Sequence, residues 1–191
     1  MSRETLVGGI GPLTDGAVFS RMTNHVLGTR VKMIQGYKGV AAVKLAMERG
    51  EVEGLFDTWE GMRSLNVDWI RDGKINLVAQ YANARHPEIP QVPAVIEAAQ
   101  SDEHRQVVRL FLSTSQVGRT LLLPPDVPPE RVSAIRLAFS AMLKDPEFLA
   151  EAKSRNLDLE PLDGPALQKL NQDTFDTSPT AIEIARTIMK N

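Results

Sequence analysis

Apolar residues recur along this chain in two rhythms, and the switches between them mark out the elements. Thr5-Leu6-Val7 runs into Gly8-Gly9-Ile10-Gly11-Pro12, which reads as a strand ending in a glycine-rich loop. Thr14 or Asp15 caps a helix whose apolar positions Val18, Met22 and Val26 stand four apart, and Gly28 closes it. A second apolar run, Val31 to Ile34, meets the Gly-x-x-Gly turn Gly36-Tyr37-Lys38-Gly39. A helix from Val40 to Arg49 follows, with Val40, Val43 and Met47 as its predicted buried stripe and Gly50 at its end. A third run, beginning near Glu53-Gly54 and ending at Asp57, completes strand, turn, helix, strand. The ligand site of such a βαβ unit lies beyond the carboxyl ends of its strands. Gly36, Tyr37, Lys38 and Asp57 fall on that rim.

Downstream the pattern predicts short helical pieces over Trp59 to Asp72 and a strand over Lys74 to Tyr81. The stretch His86-Pro87-Glu88-Ile89-Pro90-Gln91-Val92-Pro93 is too rich in proline for a helix or a central strand, so it reads as a surface loop. Helix restarts over Ala94 to Ala99 and continues over Asp102 to Phe111. Ser113 to Arg119 interrupts the period, and Thr120-Leu121-Leu122-Leu123 reads as a strand stopped by Pro124-Pro125. Val132, Ile135, Phe139 and Met142 then follow helical spacing. Asp145-Pro146 is a cap-plus-proline helix start, Leu157 to Leu162 a short strand, and two last helices begin near Asp163 and at Ser178-Pro179. The class is α/β, and Ser113 to Arg119 is the expected boundary between lobes.

Composition narrows the possibilities. The 191 residues are 42% hydrophobic and 24% charged, enough to bury one sizeable core or two small ones. A formal net charge of −2 leaves no basic surplus for nucleic acid, and 5% aromatics leave little to stack bases on. Cysteine is absent, which removes disulfides, thiolate metal sites and a cysteine nucleophile together. No apolar run approaches the ~18–20 residues of a membrane span. The opening Met-Ser-Arg-Glu-Thr lacks the apolar core of a secretory signal, which leaves a cytosolic protein, or a mature form or fragment.

Neither glycine loop carries a nucleotide-binding signature. A dinucleotide fingerprint beginning at Gly9 fails at Thr14, where its third glycine belongs, and no acidic residue follows Ile34-Gln35 to hold a ribose. Gly36 to Gly39 lacks the Gly-Lys-Ser/Thr of a phosphate-binding loop. His25, His86 and His104 have no partner at metal-ligand spacing, and there is no Gly-x-Ser-x-Gly elbow. Glu51 and Glu53 read as solvated turn charges. The expectation is therefore a binding site without catalysis, cofactor or metal. Backbone N–H groups at glycine turns and helix N-termini attract carboxylates unaided. Glycines also serve merely to make turns, and both readings stand for Gly9 to Thr14 and Gly36 to Gly39.

These residues resemble the solute-binding receptors of tripartite tricarboxylate transporters, the TctC-like or Bug family. The likeness runs through Val7-Gly8-Gly9-Ile10-Gly11-Pro12, Gly36-Tyr37-Lys38-Gly39, and Leu45-Ala46-Met47-Glu48-Arg49-Gly50-Glu51-Val52-Glu53-Gly54. It continues in His86-Pro87 with Ile89-Pro90-Gln91-Val92-Pro93, in Pro124-Pro125-Asp126-Val127-Pro128, and in Lys144-Asp145-Pro146-Glu147-Phe148. The resemblance implies a type II periplasmic-binding-protein fold, two α/β lobes closing on a small organic carboxylate that is passed to membrane permease subunits. It implies a second lobe over residues 3–115 and the mostly helical carboxy-terminal part of the first over 116–191, with a hinge crossing between Ser113 and Arg119. Gly9, Ile10, Gly11, Pro12 and Thr14 would form a carboxylate loop, and Gly36, Tyr37, Lys38, Asp57 and Thr58 would line the cleft. Periplasmic location follows from the resemblance, cytoplasmic location if the product begins at Met1. The family's amino-terminal section has no counterpart here, so the first lobe is incomplete, and its exposed surfaces imply a homo-oligomer. The alternative is a cytosolic effector-sensing or protein-interaction module on the same fold.

Overall fold

Thr5–Gly8 (β1), Val31–Ile34 (β2) and Gly54–Leu55 (β3) form a parallel sheet in the order β2-β1-β3, around which helices make up most of the chain. The computed structural model describes residues 3–117, 120–155, 157, 159 and 161–190. In β1 and β2, Thr5 stands beside Val31 and Gly8 beside Ile34; in β1 and β3, Val7 stands beside Gly54. The fold is mixed α/β, as the apolar rhythms predict.

Helix Asp15–Leu27 (α1) links β1 to β2, and Val40–Glu48 (α2) links β2 to β3. Gly28 ends α1 in the left-handed conformation at φ 64°, as its position after the apolar stripe requires. Successive residues Leu55 and Phe56 join different apolar clusters, so the sheet separates them. Phe56 packs with α1, Asp102–Val117 (α5) and Pro179–Lys190 (α9), around Met22, Val107, Val108, Ala181 and Ile188. Leu55 packs with Val43 and Ala46 of α2 and with Val52. Val43 and Ala46 are the buried positions of α2; Val40 and Met47 of the predicted stripe are half-buried.

Trp59–Leu65 (α3) and Val67–Arg71 (α4) are the expected short helical pieces. Lys74 to Tyr81 is not a strand: among the described residues only Gln80 makes a ladder contact, a single parallel bridge to Ala94. The proline loop offers it one carbonyl, Pro93, and the Gln80 side chain holds the rest of that loop. Its amide donates to Ile89 O (3.0 Å) and Val92 O (2.8 Å) and accepts from His86 N (2.8 Å). The predicted helix at Ala94 to Ala99 is a 3₁₀ turn, Val95–Ala98.

Helix α5 runs through Ser113 to Val117, so the break expected at Ser113 does not occur there. The hydroxyls of Ser113 and Thr114 donate back to Leu110 O and Phe111 O, absorbing these polar residues into the helix. Gly118 and Arg119, the rest of that predicted boundary, lie outside the described residues. Thr120 to Leu123 is not a strand either; Leu121 and Leu122 are 70% and 79% exposed, and among the described residues no strand lies beside them. Of the strand predicted over Leu157 to Leu162, Leu157, Leu159, Pro161 and Leu162 are irregular, and Asp158 and Glu160 lie outside the described residues.

The last helices are Pro129–Met142 (α6), Pro146–Ser154 (α7), Gly164–Phe175 (α8) and α9; the last three begin where Asp145-Pro146, Asp163 and Ser178-Pro179 predict. Helix α9 packs on α1 and α5, its start tied by Ser178 N–H to Gln106 Oε1 (3.1 Å). Helix α8 packs on α5, and Arg136 of α6 donates to Gln168 of α8 (3.0 Å). No residue of α6 is buried. Among the described residues no helix is long and apolar enough to cross a membrane.

Candidate functional site

Strand β1 lies between β2 and β3, so the chain leaves its carboxyl end toward one edge and later returns to the other. In open parallel sheets with such a reversal, ligands bind beside the carboxyl ends of the strands that flank it, here β1 and β3. The loops after all three strands share this rim. Gly9 N–H donates to Ile34 O (2.8 Å) and Tyr37 N–H donates back to Gly9 O (3.3 Å), so the two glycine loops are joined. A side chain on Gly9 would strike Met33, and Gly36 sits at φ 103°, a conformation glycine alone adopts readily.

Of the three helices that start on this rim, α1 and α2 begin without side-chain caps. Thr14 is the residue preceding α1, but its hydroxyl donates to Gly11 O (2.8 Å) and closes the loop instead of capping the helix. Gly39, ahead of α2, has no side chain to offer. By contrast Thr58 caps α3, accepting from Gly61 N–H (3.0 Å), and Asp145 caps α7. The N-terminal amides of α1 and α2 thus face the rim with their partial positive charge uncompensated by a neighbouring oxygen of their own caps.

The predicted site residues divide by what they touch. Gly9, Gly11, Thr14 and Gly36 shape the joined loops, with Ile10 and Pro12 exposed beside them. Lys38 is exposed. Tyr37 is half-buried against the α2 cluster, so its ring serves the core and only its backbone serves the loop. Asp57 is bonded to Lys44 of α2: Nζ to Oδ2 is 2.9 Å, with the two side chains only 14% and 12% exposed. Its other oxygen accepts Thr58 N–H (2.9 Å). Lys44 is the residue sequence reasoning misses. Inside the helical period of α2 it reads as part of a solvated face, and only the pairing with Asp57 distinguishes it.

Phe56 fixes the position of that aspartate. A Cβ added to Gly16, in the first turn of α1, would come within 3.0 Å of Phe56, so the ring lies directly on the helix. Tyr81 stacks on Phe19 (4.7 Å between centroids) and meets Phe56 edge-on (5.0 Å). Burial raises the Tyr81 phenol pKa, and a hydrogen bond with Thr23 partly opposes this. To the side, Trp59 Nε1 and Arg63 both donate to Glu88 at 2.7 Å, fastening α3 to the proline loop; the indole first, then the guanidinium, lower the Glu88 pKa.

Two grooves open elsewhere. One of about 480 Å³ lies between Arg63 and Ser64 of α3 and Leu149, Ala152 and Lys153 of α7. The other, about 370 Å³, follows α1 and the outer edge of β2 past Arg21, Asn24 and Lys32. Neither contains a predicted site residue. Among the described residues no three metal-ligating side chains converge. No family model matches this chain, and no curated protein matches it.

Proposed function

We propose that the chain binds a small organic carboxylate without turning it over, as a solute-binding receptor of the tripartite tricarboxylate transporter type. The observation that carries this reading is the pair of uncapped helix N-termini, α1 and α2, opening on one rim from loops joined by Tyr37 N–H to Gly9 O. Backbone amides in that arrangement suit an acceptor-only ligand, and a carboxylate has two such oxygens. The motifs from Val7 to Pro12, Gly36 to Gly39 and Ile89 to Pro93 give the reading its family. In that family residues 3–115 and 116–191 belong to two lobes of a type II binding-protein fold, the location is periplasmic, and membrane permease subunits receive the ligand.

A thermal-shift panel of mono-, di- and tricarboxylates tests the proposal. A ligand at a hundred times its dissociation constant adds about 2.7 kcal/mol to the folded state, a plain rise in melting temperature. The expected result is a selective hit, weakened by Gly36→Val, which forces a β-branched side chain into the φ 103° turn. A flat panel would overturn it.

A second reading, a protein-interaction module on the same fold, is favoured by one observation: α6 buries no residue, and Leu121 and Leu122 are exposed beside it in sequence. A pull-down that depends on those leucines, together with a flat carboxylate panel, would favour that reading.

A further inference from the structure

The groove of about 370 Å³ beside β2 is bounded on one side by a single stripe of α1, formed by Ala17, Ser20, Arg21 and Asn24. On the other side stands the outer edge of the sheet at Val31 and Met33. Most of its polar groups are matched within the protein. Ser20 Oγ donates to Gly16 O (2.7 Å). Asn24 serves the edge of β2 as an added strand would: Oδ1 accepts Val31 N–H (2.8 Å) and Nδ2 donates to Val31 O (2.7 Å). Lys32 faces Glu4 at 3.5 Å.

Arg21 is different. Its guanidinium stays charged at any ordinary pH, and no described carboxylate pairs with it. One Nη donates to Pro12 O (3.1 Å), a neutral carbonyl, and Nε is buried without an acceptor. An unpaired buried donor on a charged group is costly, and packing alone would be served as well by an uncharged side chain. The residue is half-buried, so its charge is screened less than that of a surface arginine.

We propose that this groove binds a small oxyanion, a carboxylate or a phosphate ester with a short apolar body, held by the Arg21 guanidinium. Two N–H donors in one plane match two oxygens of either group. Ala17, Val31 and Met33 give the body an apolar wall. Lys32 lines the same groove but already has Glu4, so Arg21 is the recognising charge. The groove shares no residue with the glycine-loop rim, and the inference does not rest on the receptor reading.

The experiment follows the Arg21 Nε–H resonance of the wild-type chain by NMR, assigned by triple-resonance correlation. The probes are n-butyrate, n-butyl phosphate and, as a cation with the same body, n-butylammonium. The expected result is a saturable shift with at least one of the anions and none with the amine; which anion acts separates carboxylate from phosphate. Calorimetry with that anion should show a loss of affinity of about tenfold or more in Arg21→Lys, which keeps the charge and loses the planar fork. Unchanged affinity in Arg21→Lys, with folding verified by circular dichroism, overturns the inference. So does an amine that shifts the resonance as the anions do, and so does an Nε–H that neither anion moves. The wild-type titration needs no variant, so it decides the matter even if Arg21→Lys does not fold. The amides of Val40 and Ala41, at the start of α2, report on the rim separately. Their movement with n-butyrate while Arg21 stays still favours the receptor reading and overturns this inference; movement of Arg21 alone supports the inference and counts against the rim.

Discussion

Glu97 gathers three donors onto one exposed carboxylate. Arg85 reaches both of its oxygens, at 2.8 Å and 2.6 Å, and Ala94 N–H donates at 3.1 Å. The guanidinium first and the amide second hold its pKa down from 4.5 to about 2. A depressed carboxylate pKa means that the clamp's contribution is complete above about 4.5 and is lost as pH falls toward about 2. Glu97→Gln should therefore melt below wild type at neutral pH, with the gap closing over that acid window and narrowing in high salt, because both partners are solvated. Melting curves at stepped pH and ionic strength check it; a gap that persists at about pH 2 would show that shape, not charge, holds the proline loop to its 3₁₀ turn. The rim shows how far single residues were legible. Glycine loops and Asp57 are visible because they interrupt or end apolar runs. Lys44 lies inside a helical period, where a lysine reads as a solvated face, and only tertiary pairing with Asp57 gives it a role. Tyr37 stands in the turn its glycines announce, and its half-buried ring packs against the α2 cluster, a contact that only the fold reveals.

At the scale of elements, the helices that announced themselves did so through local chemistry. Asp145 accepts Glu147 N–H and Phe148 N–H at 2.9 Å, Asp163 accepts Ala166 N–H at 2.8 Å, and prolines stand in the first turns that follow. Such signals need no partner beyond the next three residues. Strands need one. Lys74 to Tyr81 and Thr120 to Leu123 have strand composition, but a ladder forms only where another backbone lies alongside, and the three strands that do pair all come from residues 5–55. Which helix packs where was equally invisible in one dimension. Ala181, Ala185 and Ile188 of α9 close the cluster begun by Phe19 and Met22 of α1, far away in sequence. Ile188→Ala should then cost about 2–5 kcal/mol, as for other buried large-to-small changes, since the residue is 2% exposed. Leu137→Ala on α6, 71% exposed, should change stability by no more than about 0.5 kcal/mol. Urea denaturation of both variants compares them directly. Equal losses would mean that α6 has a packing partner which its exposure does not reveal, or that α9 does not hold the core.

Across the whole molecule, apolar surface is distributed unevenly. The sheet and the α1–α5–α9 cluster bury theirs, whereas Leu121, Leu122, Leu137 and Phe175 are each at least 70% exposed. Successive residues of an extended chain point to opposite sides, so Leu121 and Leu122 need a layer on each side to be covered, which is what a strand inside a two-sided sheet receives. The described chain supplies neither layer. With a formal net charge of only −2, little electrostatic repulsion keeps two copies apart, and apolar area then dominates their encounter. Self-association through these exposed side chains is the expected outcome. Light scattering and sedimentation velocity over a micromolar concentration series should show mass rising with concentration, and Leu122→Asp with Leu137→Glu should shift the chain toward monomer without lowering its melting temperature in dilute solution. Both positions lie outside the core, so a fall in dilute-solution stability would mean that the leucines are covered within the monomer. A wild-type chain that stays monodisperse and monomeric throughout the series would rule the association out, and would leave the tri-leucine segment to a partner of different sequence.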